Sequence, residues 1–262
     1  MNPKVIIFCG GLGTRLKEET EYKPKPMVEV GNKPILWHIM KLYSHYGLKD
    51  FVLCLGYKGE KIKEYFLNYE MINNDFRVKL GSNKEITIFK NSDENDWNVT
   101  LVDTGKTALK GSRLKKVEKY IDSDIFMVTY GDGVADIDIN KLLEFHKSHG
   151  KIGTVTGVRP PSLFGELLVE NDKALLFSEK PQTSSGLISG GFFVFNKKLF
   201  DYLSIDDNCD FEKGPLEKLA AEGELMVYTH TGKWGCMDTQ RDMEYLNNLW
   251  NMDKAFWKLW DC

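Results

Sequence analysis

Paired cysteines are missing from this sequence. Its five cysteines, Cys9, Cys54, Cys209, Cys236 and Cys262, are odd in number and form no C-x-x-C pair. That pattern fits neither a disulfide framework nor a zinc site. They read as scattered reduced thiols of a cytoplasmic protein. No apolar run reaches the roughly 20 residues needed to span a bilayer, and no charged-then-apolar leader opens the chain. Strong charge of either sign is lacking as well, because 35 Lys and Arg stand against 38 Asp and Glu, a formal net charge of -3. No nucleic-acid or membrane partner is therefore expected, and an anionic ligand would need a local cluster of positive charge. Internal repeats and low-complexity tracts are absent too. What is there is ordinary globular sequence, and its 262 residues suffice for one domain with a well-buried core.

Short apolar runs give the first half its plan. Val5 to Cys9, Asp50 to Leu55 and Ile125 to Tyr130 read as strands buried on both faces, the habit of a parallel sheet. Val99 to Val102 reads as a further strand. Between them, apolar residues recur at helical spacing over Ile35 to Tyr46, Lys58 to Tyr69, Arg113 to Ile121 and Leu142 to His149. This alternation predicts a Rossmann-like, doubly wound α/β fold with a mixed sheet. Ligands of such sheets bind beyond the carboxyl ends of the strands, at a switch point. Gly10 to Arg15 and Asp132 each follow a strand directly, so both are expected to face one crevice.

The second half is richer in strands, at Gly153 to Val158, Glu166 to Val169, Leu175 to Ser178 and Phe192 to Phe195. Helical pieces follow at Lys197 to Leu203, Leu216 to Glu222 and Thr239 to Trp250. The whole chain is expected to be one domain, with a nucleotide-binding half over 1–150, a sugar-binding half over 151–240 and a helical tail over 241–262. Residues 73–98 read as a polar insertion or a hairpin arm. His146 and His149 stand three apart on one helix, but no third ligand is visible, so a surface position is expected for both. The aromatic C-terminus, Trp250, Phe256, Trp257 and Trp260, is expected to form a subunit interface more than to cover the core.

The most informative stretch is Gly10-Gly11-Leu12-Gly13-Thr14-Arg15 after the first strand, followed by Lys23-Pro24-Lys25-Pro26. Glycines let the backbone come close to a ligand, and successive N–H groups then cradle phosphate oxygens. Arg15 adds a planar fork of donors and Lys25 a compact charge. Two commoner phosphate loops are excluded. A dinucleotide fingerprint needs a third glycine where Leu16 stands. Gly105-Lys106-Thr107 recovers the end of a Walker loop, but Thr100 occupies the position of its first glycine.

Gly10-Gly11-Leu12-Gly13-Thr14-Arg15-Leu16 with Lys23-Pro24-Lys25-Pro26-Met27 resembles the sugar-1-phosphate nucleotidyltransferase family. The Lys33 to Met40, Trp97 to Gly105, Tyr130 to Asp136, Gly190 to Val194 and Met237 to Thr239 blocks extend the resemblance over almost the whole chain, in the family's order. Those at Trp97 to Gly105 and Gly131 to Asp136 resemble its cytidylyl-transferring branch.

The resemblance implies that CTP and α-D-glucose 1-phosphate combine to CDP-glucose and pyrophosphate. The sugar phosphate would attack the α-phosphorus in line, so charge neutralisation and positioning would carry the catalysis. It implies catalytic roles for Arg15, Lys25 and Asp132, and Mg2+ held by Asp132 and Asp238. Nucleotide contacts are implied for Phe8, Cys9, Gly10, Gly11, Leu12, Gly13, Thr14, Arg15, Lys25, Thr104, Arg113 and Gly131. Sugar-phosphate contacts are implied for Tyr130, Glu179, Lys180 and Gly190. Two departures stand out: Ser189 replaces the branch's usual Asn before Gly-Gly, and Cys9 replaces an alanine. The family further implies a homo-oligomer feeding bacterial surface polysaccharide. Two alternatives stay open: another nucleotide or sugar phosphate on the same fold, and a regulatory paralogue that binds without turnover.

Overall fold

A computed structural model describes residues 2–81, 85–89, 94, 96–160, 166–170, 172–178 and 186–260. Its centre is a seven-stranded mixed sheet in the order β14-β10-β13-β8-β1-β4-β7. These strands are β1 (Val5–Cys9), β4 (Asp50–Leu55), β7 (Asn98–Asp103), β8 (Ile125–Tyr130), β10 (Gly153–Val158), β13 (Ile188–Asn196) and β14 (Leu225–Thr229). β1 runs parallel to both β4 and β8, and β4 to β7. β13 enters between β8 and β10 antiparallel to both, which makes the sheet mixed.

Burial explains why β1 reads as an unbroken apolar run. Its five residues are all buried, and alternate side chains serve opposite faces. Val5, Ile7 and Cys9 join one core cluster with α2 (Ile35–His45), α6 (Ile139–His149) and the C-terminal segment. Ile6 and Phe8 join the other with α5 (Lys110–Lys116) and the 3₁₀ turn Lys197–Tyr202. The chain leaves β1 toward β4 and β7, then returns to β8 on the other flank. β1 and β8 therefore border the switch point, and their carboxyl ends open a crevice.

Smaller pieces surround the sheet. Further α-helices are α1 (Lys17–Thr20), α3 (Gly59–Leu67), α4 (Tyr69–Asn73), α7 (Glu217–Ala221) and α8 (Gln240–Asn251), and β2 (Glu29–Val30) pairs β3 (Lys33–Pro34). β5 (Asp75–Lys79) and β6 (Glu85–Phe89) pair antiparallel, so the polar stretch read from the sequence holds a hairpin arm. β11 (Glu166–Glu170) and β12 (Lys173–Ser178) form a second hairpin. β9 (Gly133–Ala135) and β15 (Trp234–Cys236) form a short antiparallel ladder at the crevice.

Two expectations are corrected. His146 is buried rather than on the surface, because it continues the Ile139, Leu142 and Leu143 face of α6. The backbone N–H of Lys151 donates to His149 Nδ1, which leaves His149 Nε2 as the donor to Thr154 Oγ1 at 2.8 Å. The threonine hydroxyl then donates to His146 Nδ1 at 2.9 Å. The pair orders a helix–strand seam, with both rings hydrogen-bonded to Thr154. The aromatic C-terminus also folds inward. Trp257 is wholly buried and donates its indole N–H to His38 Nδ1, while Trp250 and Trp260 pack around the same imidazole. These rings cover the core of their own chain, because a buried imidazole gives them something to enclose.

Candidate active site

The crevice at the switch point is a cavity of about 450 Å³. One wall is Phe8, Gly10, Gly11 and Leu12, directly after β1; Lys25, Pro26, Gly131 and Asp132 close the mouth. The opposite wall runs from Lys106 to Lys110, with Tyr130, Asp210 and Arg113 completing it. A cavity of this size suits a nucleotide-sized ligand.

The glycine loop is built from behind. Arg113 lies on α5 and is 4% exposed. Its Nη1 donates to Leu55 O at 2.9 Å, Thr104 Oγ1 at 2.8 Å and Gly105 O at 2.8 Å. Its Nη2 donates to Gly10 O at 3.1 Å. One guanidinium thus ties together the ends of β1, β4 and β7. A Cβ on Gly10 would fall 2.2 Å from Arg113 Nη1, so the first glycine is demanded by the arginine behind it. In this loop only Gly13 has positive φ, at 64°. Gly11 faces open space, where backbone can meet a ligand.

At the mouth, four residues meet from three distant parts of the chain. Lys25 Nζ donates to Asp132 Oδ2 at 2.6 Å and to Asp238 Oδ1 at 2.5 Å. Arg15 Nη1 donates to Asp238 Oδ2 at 3.1 Å. The β9–β15 ladder brings the two carboxylates together, since Asp132 immediately precedes β9 and Asp238 lies two residues past the end of β15. Burial would lower the pKa of Lys25, but the two carboxylates outweigh it and hold the ammonium above its ordinary value. Burial likewise works against Asp238, and Lys25 and Arg15 prevail to depress its pKa. Each shift favours the charged form, so Lys25 and Asp238 hold each other as ions.

The carboxylates fit a hard cation. Among the described residues no three His, Cys, Asp or Glu side chains cluster as metal ligands. Magnesium needs fewer, because it takes one or two carboxylates and completes its shell with water and phosphate oxygens.

The remaining expected residues fall in varied places. Phe8, Gly10, Gly11, Leu12, Lys25, Arg113, Tyr130, Gly131 and Asp132 line the cavity. Thr14 and Arg15 border a separate, smaller recess of about 220 Å³. Cys9 turns its side chain into the core, and burial pushes its thiol well above the ordinary range. Thr104 is buried, its hydroxyl donating to Leu55 O at 2.6 Å. The space that a Cβ would take at Gly190 is filled by Val158 rather than left open. Ser189 is exposed on β13. Glu179 and Lys180 lie outside the described residues.

The sequence reading missed one wall, Lys106 to Lys110 with Asp210. Gly105-Lys106-Thr107 matches the end of a Walker loop and nothing else in its local pattern. The usable signal was its place after β7, at the same sheet end as the glycine loop. Lys110 also pairs with Glu212, which accepts from Tyr130 OH at 2.7 Å. That link joins the wall to β8.

Similarity to known proteins identifies the family. The family model described as "Nucleotidyl transferase" matches residues 4–250. The glucose-1-phosphate cytidylyltransferase of Salmonella typhi is 50% identical over 259 residues, covering 98% of this chain and 100% of that one. That of Salmonella typhimurium (strain LT2) is also 50% identical, with the same coverage. Among solved structures, HddC from Yersinia pseudotuberculosis superposes with a TM-score of 0.69 at 24% identity, covering 95% of this chain and 100% of that one, which supports the fold alone. By sequence over nearly its whole length and by the architecture around its glycine loop, the chain belongs to the nucleotidyl transferase family.

Proposed function

We propose that this protein transfers a cytidylyl group from CTP to α-D-glucose 1-phosphate, giving CDP-glucose and pyrophosphate. The observation that carries this reading is the meeting of Arg15, Lys25, Asp132 and Asp238 at the mouth of a glycine-walled cavity. Full-length similarity to cytidylyltransferases supports the choice of nucleotide and sugar.

The chemistry follows from the charges. The attacking phosphate oxygen is already ionised, so no general base is needed. Bringing two anions together is the difficulty, and fixed positive charge is the remedy. Lys25, held between two carboxylates, is placed to turn toward the α-phosphate when nucleotide arrives. Arg15, largely exposed on the loop, is free to reach the departing pyrophosphate. Asp132 and Asp238 are the residues that would hold a magnesium ion, which when bound neutralises phosphate oxygens. Glu179 and Lys180 would bind the sugar phosphate.

Pyrophosphate release over CTP, UTP, dTTP and GTP, each with several sugar 1-phosphates, tests the reading. CTP with glucose 1-phosphate should be preferred; a preference for UTP or dTTP sinks it. Tight CTP binding without turnover under magnesium would favour a regulatory protein instead. We further propose a cytoplasmic homo-oligomer. Exposed apolar side chains on and beside the β5–β6 hairpin, among them Leu67, Ile72, Phe76 and Leu80, support association. Among the described residues no helix is long and apolar enough to cross a membrane.

A further inference from the structure

Asp132 and Asp238 owe their proximity to main-chain pairing. Gly133 stands opposite Cys236 in the β9–β15 ladder, and the N–H of Met237 donates to Asp132 O at 2.9 Å. Asp238 lies one residue beyond that last bond. Its backbone is therefore the first part of the segment that the ladder does not hold.

A different carboxylate holds it. The backbone N–H of Asp238 donates to Asp242 Oδ2 at 3.1 Å. The same oxygen accepts the Thr239 N–H at 2.8 Å and the Thr239 hydroxyl at 2.9 Å. Thr239 Oγ1 accepts in return from the Asp242 N–H at 3.3 Å. The Thr239–Asp242 exchange is a reciprocal cap, which would start α8 anywhere on a protein surface. The bond to Asp238 is not part of that cap. It reaches one residue further back, to a peptide outside the capping exchange. Its effect is to fix the peptide from which the Asp238 side chain leaves toward Lys25 and Arg15.

We propose that Asp242 is a positioning residue for cytidylyl transfer, holding the main chain of Asp238 so that its carboxylate meets Lys25 beside Asp132. This rests on the reading of Asp238 as part of the transfer site. Asp242 itself is absent from the cavity wall. It acts through Asp238, and helix capping and site geometry share one oxygen. Loss of that oxygen frees the Asp238 peptide to rotate, and displacements of about 1 Å in such a site cost on the order of a hundredfold in rate.

Two variants separate positioning from capping. Thr239→Ala removes the hydroxyl half of the cap yet leaves Asp242 for the Asp238 N–H. Asp242→Ala removes the carboxylate half of the cap together with the bond to the Asp238 N–H, and leaves Thr239 Oγ1 to accept from the backbone N–H at 242. Both should lower Tm to a similar extent. Asp242→Ala should lower kcat by roughly 10- to 100-fold, while Thr239→Ala keeps close to wild-type kcat, because loss of the cap hydroxyl costs stability rather than site geometry. Asp242→Asn keeps an acceptor for the two backbone N–H groups and should recover most of the turnover. A second readout needs no turnover: CTP affinity by calorimetry, with magnesium and with a chelator. The gain due to magnesium should shrink in Asp242→Ala and persist in Thr239→Ala.

The proposal is overturned if Asp242→Ala keeps wild-type turnover and magnesium response, or if Thr239→Ala loses both in step with it. A wild type that releases no pyrophosphate from CTP overturns the function reading instead, and magnesium-dependent CTP binding then still decides the role of Asp242.

Discussion

Two arginines show how differently one residue type is used. In the sequence Arg15 and Arg113 look alike, each a cationic fork suited to phosphate. In the structure Arg15 is 75% exposed and touches a single carboxylate. Arg113 is 4% exposed and its guanidinium donates to Leu55 O at the end of β4 and to Gly10 O just past β1. The exposed one is free to exchange its partner for a ligand. The buried one has spent most of its donors on the frame, and burial pulls its pKa below the ordinary value without discharging it. A positive charge near a phosphate loop is thus not automatically a phosphate ligand; what matters is how many donors it has left.

The comparison can be broken in four ways, from the largest expected effect to the smallest. Arg113→Ala should cost stability by about 3 kcal/mol, since several buried oxygens lose a charged donor at once. Urea unfolding checks this; unchanged stability with lost CTP binding would make Arg113 a ligand contact after all. Lys25→Ala should lower kcat at least ~100-fold, the scale of one strong electrostatic contact, with the fold intact by circular dichroism. Near-normal turnover would remove Lys25 from the mechanism.

The third test is pH. Burial foremost holds His38 and His146 at about 4, well below the usual histidine value. Between about 6.5 and 4 the unfolded chain therefore binds more protons than the folded one. Stability should fall as pH drops through that window, and Tm measured from neutral to acid pH should show it. His38→Gln should flatten the slope without touching turnover at neutral pH, because His38 lies in the core under Trp257 rather than at the mouth. Finally, Arg15→Ala should change stability by less than about 1 kcal/mol, as exposed ion pairs do. Its turnover should fall nonetheless. A variant that is destabilised but fully active would reverse the contrast between the two arginines.

How far the sequence could be read depended on burial. β1, β4 and β8 are mostly enclosed strands, and their apolar runs mark their limits. β14 was not foreseen, because it is an edge strand with several exposed side chains and no clear alternation. The β9–β15 ladder escaped notice for another reason: three-residue strands carry too little pattern. His146 was misplaced although its signal was present, three and four residues after Leu143 and Leu142 on a helix.

From the sequence alone followed the alternating α/β plan, the glycine loop with its flanking cations Arg15 and Lys25, and, through the family resemblance, the expectation that Lys25, Asp132 and Asp238 belong to one site. Those are properties of local chemistry and of motifs, which survive without coordinates. Only the tertiary structure decided that Lys25 bridges the two carboxylates, that Arg113 belongs to the frame, and that Asp242 holds Asp238. Each of these depends on how an atom's hydrogen-bonding capacity is shared among residues far apart in the chain. That sharing is set by the crossing of strands at the switch point, and no local pattern of residues encodes it.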